Sequence, residues 1–395
     1  MTLLSLIAGL LCLSEVLVDA FQTIILPRRA SGRLRISRLF LTATWIPWRA
    51  IAGRMPQVSQ AQARRRESFL SYFGPLSLLL FVVVWACGLI LGFAFLFHAL
   101  GSPFADAHSI GVWETDLYVS GTTLFTLGLG DVVPLSVPAR FLIALEGGTG
   151  LAFVAGVIGY LPVLYGAFSR REVSIILLDA RGGSPPTALE LLRRHAGPPG
   201  EAALQSLLIE WERWSAELLE SHISYPQLCF FRSQHDNQSW LGALVAMLDT
   251  CAVLIATVEG EAARQALQTF VIARHAVIDL AHVFSLSGNR ATDDRLPPGK
   301  VDEVCHQLSN AGFSLCTATS SLDRLRQLRE MYEPQAFLLS RLLMQPLPSF
   351  APEPGKRSNW TAVAGLRSET EASLSSGNRG NTSTIVIATD EEHRF

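Results

Sequence analysis

The chain has 395 residues, of which 49% are hydrophobic and only 17% are charged, and its formal net charge is −2. Soluble domains usually carry about 25% charged residues, so this composition favours a membrane protein. The near-neutral charge does not indicate a nucleic-acid-binding protein. Six scattered cysteines without a CxxC pair argue against a disulfide framework or a zinc site.

Three apolar segments are long enough to cross a bilayer, which takes about 20 residues of helix. They are residues 3–26, 69–98 and 140–168. The first has no basic N-terminal region and no small-residue cleavage site, so we predict a retained span rather than a signal peptide. Glu15 and Asp19 lie one helical turn apart on it. Either they contact and modulate neighbouring helices, or Asp19 reaches the cytoplasmic interface and Glu15 is paired or protonated.

The charges between the spans predict the orientation of the chain. Ten arginines and no acidic residue lie between Arg28 and Arg66, whereas residues 99–138 contain four acidic residues and no lysine or arginine. The positive-inside rule therefore predicts a cytoplasmic arginine loop, a cytoplasmic C-terminal half and an external N-terminus. Residues 39–52 contain Trp45 and Trp48 and predict an interfacial helix, with a further span as the alternative.

The acidic loop contains the stretch TTLFTLGLGDVVP, residues 122–134. Residues 113–125 before its glycines show the spacing of a short amphipathic helix, which is too short to span. Non-helical backbone is tolerated at membrane depth only where protein buries it or it lines a wet cavity. Glycines at alternate positions allow the backbone to turn its carbonyl groups to one side, where they can replace the hydration shell of a cation.

The sequence TLGLGD resembles the selectivity filter of potassium channels, whose usual form is TVGYG. The resemblance implies that the filter carbonyls bind potassium ions and that the acidic residue ties the outer mouth. The matching residues are Thr126, Leu127, Gly128, Leu129, Gly130 and Asp131. Leu129 replaces the usual tyrosine, as in the Gly-Leu-Gly filters of some two-pore-domain channels, and we expect a softer filter with lower selectivity. One filter per chain implies a homotetramer.

The third span is similar to the inner helix of two-span bacterial potassium channels in its pattern Arg140, Glu146 and Gly150. This similarity implies that Gly150 is the gating hinge and that Glu146 lies behind the filter. Pro162 can kink the helix further along. The alternative for Gly150 is close helix packing, because small residues are common in membrane interfaces. The resemblance to the channel family covers residues 69–172.

The C-terminal half is mostly helical in pattern. Residues 173–180, VSIILLDA, look like a strand, but the following GGSPP lacks the free N–H groups of a phosphate-binding loop, so we reject a dinucleotide-binding domain. Helices are predicted over 201–221, 240–257, 262–285, 301–317 and 319–344, in an antiparallel bundle. Residues 240–257 could instead form a fourth span. The tail 346–395 has a disordered composition.

His275, Asp279 and His282 share one helix face and could hold a divalent metal or a ligand. Histidines buried with ordinary hydrogen bonds are the alternative. The sequence contains no arrangement of nucleophile and base that would indicate an enzyme.

Together these observations predict a mainly α protein with a membrane pore domain (outer helix, pore helix with filter loop, inner helix), an extra N-terminal span and a cytoplasmic helical bundle. The predicted parts are 1–27 (span), 28–67 (arginine loop), 68–172 (pore domain), 173–345 (helical domain) and 346–395 (tail). The predicted function is passive potassium transport by a homotetramer in the cell (inner) membrane, with potassium ions and lipid as partners and no cofactor. A weakly selective cation channel and a membrane-anchored sensor with a vestigial pore are the alternatives.

Overall fold

The computed structural model describes residues 2–24, 36–106, 111–235, 237–286, 288, 294–313 and 319–352. The first helices are α1 (Thr2–Ile24), α2 (Ile36–Arg54), α3 (Gln60–Ser71), α4 (Phe73–Ala99), α5 (Val112–Leu124) and α6 (Val137–Gly182). They are followed by α7 (Ala188–Arg194), α8 (Pro198–Ser224), a 3-10 helix (Pro226–Phe230), α9 (Trp240–Thr257), α10 (Glu261–Val283), α11 (Pro298–Asn310), α12 (Thr319–Glu330) and α13 (Glu333–Leu343). Strands β1 (Phe104–Asp106) and β2 (Val132–Pro134) pair antiparallel. The predicted mainly α fold is confirmed.

Helices α1, α4 and α6 are long and apolar enough to cross a membrane. With 46 residues, α6 is far longer than its predicted span 140–168. At a rise of about 1.5 Å per residue it measures about 69 Å, more than twice the roughly 30 Å hydrocarbon core. Its last turns include the strand-like residues 173–180, which are helical because Ile175 and Leu178 pack into the C-terminal core.

Helices α1 and α4 run antiparallel along a seam of glycines. A Cβ atom on Gly88 would lie 2.6 Å from Val16 Cγ2, and one on Gly92 would lie 2.7 Å from Leu13 Cδ2. Gly88 and Gly92 form a GxxxG pattern, which allows the backbones of two membrane helices to approach closely. The seam places the start of α1 beside the end of α4, so both lie on the side of the α4–α5 connection.

Asp19 is buried between these two helices. Trp85 Nε1 donates a hydrogen bond of 2.9 Å to Asp19 Oδ2, and Asp19 is 3% exposed. Asp19 therefore lies within the contact between α1 and α4, and its position relative to the cytoplasmic interface stays a prediction. Glu15, one turn earlier, is exposed.

Helix α2 lies antiparallel along α3 and the first turns of α4. Phe40 contacts Phe81, Trp45 contacts Phe73, and Trp48 stacks on Phe69. Trp45 is buried, and its Nε1 donates to the carbonyl oxygen of Leu342, 2.9 Å away. Trp45 therefore packs inside the protein, where a protein carbonyl satisfies its indole N–H, whereas an interfacial position of Trp48 and of α2 stays a prediction.

Helix α9 is the centre of the C-terminal bundle. It is apolar enough to cross a membrane, but all of its residues are buried in the protein. No face is left for lipid, so the predicted core helix is confirmed over the alternative span. It contacts α7, α10, α12 and α13 and the last turns of α6.

A buried charge cluster lies at a break in the predicted helix 319–344. Arg295 donates hydrogen bonds of 2.6 and 2.9 Å to Asp249 on α9, and it also contacts Glu333 at 2.9 Å. Tyr332 donates its hydroxyl proton to Asp249. Tyr332 lies between α12 and α13, where Pro334 in the first turn of α13 interrupts the helix, so the single predicted helix is two helices.

The predicted C-terminal tail begins later than its composition suggests. Phe350 is 2% exposed, and its carbonyl oxygen accepts a hydrogen bond of 3.2 Å from Leu189 N. Residues 346–352 are therefore part of the helical domain, because an aromatic side chain among them finds a buried site. Residues 353–395 lie outside the described part of the chain.

The glycine seam predicts the effect of overpacking. Gly88→Leu should separate α1 from α4 and lower stability by about 1–3 kcal/mol, the usual cost of an overpacked site. Thermal unfolding of the detergent-solubilised protein would measure the loss. Gly53→Leu on α2, where a Cβ meets nothing within 4 Å, is the matched control. An equal melting temperature for the two variants would contradict the close helix contact.

Candidate functional site

Helix α5 is the short helix predicted over residues 113–125. Its 13 residues measure about 20 Å, too short to cross a bilayer. Its first half is fixed by Asp116, which is fully buried. Asp116 Oδ2 accepts a hydrogen bond of 2.7 Å from Ser102 Oγ and lies 3.1 Å from His98 Nδ1 at the end of α4.

The 126–131 segment leaves the C-terminus of α5 with its N–H groups turned back toward the helix. Thr126 N and Leu127 N donate hydrogen bonds of 2.9 and 2.8 Å to the carbonyl oxygens of Thr123 and Thr122, and Gly128 N lies 3.4 Å from that of Thr122. In a trans peptide the C=O and N–H groups point in opposite directions. The carbonyl groups of residues 125–127 therefore point away from α5.

The backbone of this segment has positive φ at every second residue. The values are +55° at Thr126, +48° at Gly128 and +77° at Gly130. Glycine adopts this conformation at little cost, whereas a β-branched residue rarely does. Strained backbone of this kind concentrates at functional sites.

The hydroxyl group of a tyrosine holds the C-terminal end of the 126–131 segment. Tyr118 Oη on α5 donates a hydrogen bond of 2.7 Å to Asp131 Oδ2. The carboxylate raises the pKa of Tyr118, because the hydrogen bond favours the neutral phenol. We did not predict this bond from the sequence, although Tyr118 and Asp131 are both polar and lie only 13 positions apart. Leu127 and Leu129 are 62% and 65% exposed in the single chain.

Glu146 lies against α5 rather than against the segment itself. Its carboxyl group is fully buried, and Oε1 is 2.5 Å from Ser120 Oγ. The side chain therefore lies behind the pore-helix candidate.

Gly150 marks the closest approach of α6 to α5. A Cβ atom at this position would lie 1.9 Å from the carbonyl oxygen of Leu124, so no other residue fits. The contact agrees with the close-packing alternative. Helix α6 continues unbroken through Gly150 and Pro162, and a hinge at either residue stays a prediction.

One face of α6 is apolar and exposed, which we call the α6 stripe: Leu151, Ile158 and Tyr165. These residues recur every seven positions and are 66%, 67% and 50% exposed. Together with the exposed 126–131 segment, the α6 stripe forms an apolar surface that a single chain leaves uncovered.

Arg171 joins the C-terminal part of α6 to the helical domain. It is 3% exposed and donates hydrogen bonds of 2.9 Å to the carbonyl oxygens of Leu228 and Phe231. It also forms an ion pair of 2.8 Å with Glu172. The sequence did not reveal this role of Arg171, because the carbonyl groups that it contacts lie far along the chain.

His222 on α8 accepts a hydrogen bond from Arg171 at this junction between α6 and the helical domain. Its Nε2 lies 3.1 Å from Arg171 Nη1. Burial, and then the neighbouring guanidinium, lower the pKa of His222 well below its usual value, so the imidazole is neutral and can accept this hydrogen bond. Nearby, the ring of Phe231 lies on Gly74 of α4, where a Cβ atom would be 2.8 Å from it. The helical domain thus contacts both the outer and the inner membrane helix.

The predicted metal-binding residues do not converge. His275 Nε2 and Asp279 Oδ2 are 3.2 Å apart, whereas His282 is exposed. Within the described part of the chain, no three His, Cys, Asp or Glu side chains are placed to hold a metal ion.

Residues 80–164, from α4 through the 126–131 segment into α6, match the model of a protein family described as "Ion channel". This part of the chain is therefore similar to ion channels. The chain is also 25% identical, over 254 residues, to the uncharacterized membrane protein YdjJ of Bacillus subtilis (strain 168). That match covers 62% of this chain and 67% of the relative. No solved structure matches the chain.

The bond between Tyr118 and Asp131 predicts a measurable change in backbone protection. Tyr118→Phe removes one hydrogen bond and should accelerate amide hydrogen exchange in residues 126–134 by about a few-fold. Tyr72→Phe, at an exposed position, is the control. Unchanged exchange in Tyr118→Phe would mean that the phenol does not hold the segment.

Proposed function

We propose that this ion channel is a homotetrameric, potassium-selective channel and that the 126–131 segment is its selectivity filter. The orientation of the peptide groups carries the proposal. The N–H groups of residues 126–128 are directed to α5, so a row of carbonyl oxygens is available on the opposite side. Backbone carbonyl oxygens of this kind replace the hydration shell of potassium in known filters.

The surroundings of the segment support the same function. The residues from Thr126 to Gly130 carry no charged side chain, and Asp131 follows at the outer end, held by Tyr118. A permeating cation would therefore meet an acidic mouth and then neutral oxygen ligands. The similarity of TLGLGD to known potassium filters points to potassium as the ion.

The tetramer follows from the number of filter segments in one chain. A single segment covers only one side of an ion, and the ring of carbonyls needs four copies. The exposed leucines of the segment and the α6 stripe form the kind of apolar surface that marks an interface. We assign this surface to contacts between four copies and to the wall of the pore.

The proposed orientation has the filter mouth and the N-terminus outside and the helical domain in the cytoplasm of the cell. The glycine seam supports the first part, because it places the start of α1 on the side of the α4–α5 connection. The arginines between α1 and α4 assign the other side to the cytoplasm. Arg171 then lies at the cytoplasmic end of α6.

Leu129 favours a second candidate function, a weakly selective cation channel. Filters with tyrosine at this position have a phenol that braces the wall through a hydrogen bond, and leucine offers only packing. In this chain the nearby phenol of Tyr118 bonds to Asp131 instead. The outer mouth is thus braced, while the wall beside Leu129 depends on packing in the tetramer.

Gly128→Ala tests the filter assignment. Alanine at φ +48° costs roughly 1–2 kcal/mol in each copy, and the ring repeats the strain four times. We expect potassium flux into liposomes to be abolished while the tetramer still forms. Gly299→Ala, in helix α11 with open space around the Cβ position, should transport as the wild type does. Normal potassium flux through Gly128→Ala would contradict the assignment of the 126–131 segment as the selectivity filter.

Reversal potentials of the wild-type channel in mixed potassium and sodium solutions separate the two candidate functions. A clear preference for potassium supports the proposed channel. Equal permeability would instead establish the weakly selective cation channel.

Cysteine labelling tests the orientation. The exposed Cys87 is first replaced by serine, and then Leu135→Cys and Val58→Cys are made at two exposed positions. A membrane-impermeant maleimide applied to intact cells should label Leu135→Cys at once, but Val58→Cys only after permeabilisation. The reverse pattern would overturn the proposed topology.

A further inference from the structure

Three helices of the pore domain are connected by one line of polar groups. Glu146 on α6 lies 2.5 Å from Ser120 Oγ on α5, and the same Oγ lies 2.9 Å from the carbonyl oxygen of Ile90 on α4. Glu146 and Ser120 are both fully buried. The line therefore connects the inner helix, the short helix α5 and the outer helix away from water.

The number of protons on this line of polar groups restricts which hydrogen bonds can form along it. A serine hydroxyl carries one proton to donate, and a carbonyl oxygen and a carboxylate oxygen can only accept. If Glu146 were ionised, Ser120 could satisfy only one of its two neighbours. If Glu146 is the neutral acid, it donates to Ser120 Oγ, and Ser120 donates to Ile90, so both hydrogen bonds form.

The charges around Glu146 agree with the neutral form. None of the described basic side chains forms an ion pair with it. Its second oxygen, Oε2, is buried without a hydrogen-bond partner. A buried carboxylate without a counter-ion is far more costly than a buried neutral acid.

We propose that Glu146 is held as the neutral acid and that it positions the 126–131 segment through Ser120. The inference rests on the proposed function only for its effect on selectivity. Ser120 lies on the same helix as Thr122 and Thr123, whose carbonyl oxygens hold the segment. Fixing Ser120 therefore fixes the acceptors that orient the segment. Glu146 is a positioning residue and does not contact the ion.

Infrared difference spectroscopy tests the protonation state without any transport measurement. The difference between the wild type and Glu146→Gln should contain the carbonyl band of a protonated carboxylic acid. Glu217→Gln, which removes an exposed carboxylate paired with Arg213, should show carboxylate bands instead. Carboxylate bands in the Glu146→Gln difference would overturn the inference.

Permeability ratios test the positioning role. Glutamine keeps an N–H donor for Ser120, so Glu146→Gln should retain the potassium-to-sodium ratio of the wild type. Glu146→Ala and Ser120→Ala should lower it several-fold. Loss of selectivity in Glu146→Gln, or an unchanged ratio in Glu146→Ala, would contradict the role. A wild type without potassium preference would refute the proposed function instead, and the infrared result would still decide the protonation state.

Discussion

The contact between Gly150 and the carbonyl oxygen of Leu124 sets the distance between the inner helix and α5. A Cβ atom at Gly150 would overlap that oxygen at 1.9 Å, so the two helices approach as closely as backbones can. This spacing brings Glu146, one turn earlier on α6, within hydrogen-bond distance of Ser120. The 126–131 segment starts directly after Leu124, so its position follows from the same contact.

Local patterns in the sequence predicted the helices around the 126–131 segment well. The alternating glycines, the half-helix before them and the long apolar runs are all short-range signals, and the structure has α5, α4 and α6 where those signals lie. Gly150 was assigned two roles, and its sequence context could not separate them. The distance to Leu124 is a tertiary property that appears only when α5 and α6 pack.

The errors concern residues whose partners lie far along the chain. Trp45 resembled an interfacial residue, but the carbonyl oxygen of Leu342, 297 positions further along the chain, accepts its N–H. Tyr332 bonds to Asp249, 83 positions earlier, beside the break between α12 and α13, and Pro334 is the local signal for that break. The role of Arg171 was not predicted, because the carbonyl groups of the helical domain that it contacts are 57 and 60 positions away. Periodicity contains no information about such partners, because they depend on how separate helices pack.

The length of α6 has a mechanical consequence. Arg171 lies 21 residues beyond Gly150 on one unbroken helix, a distance of about 32 Å at 1.5 Å per residue. If α6 tilts about the tight contact at Gly150, a tilt of about 5° displaces the end of a helical arm of this length by about 3 Å. A movement of the helical domain by about 3 Å at Arg171 would then tilt α6 by about 5°. The α6 stripe would move less than Arg171, in proportion to the distance of each residue from Gly150.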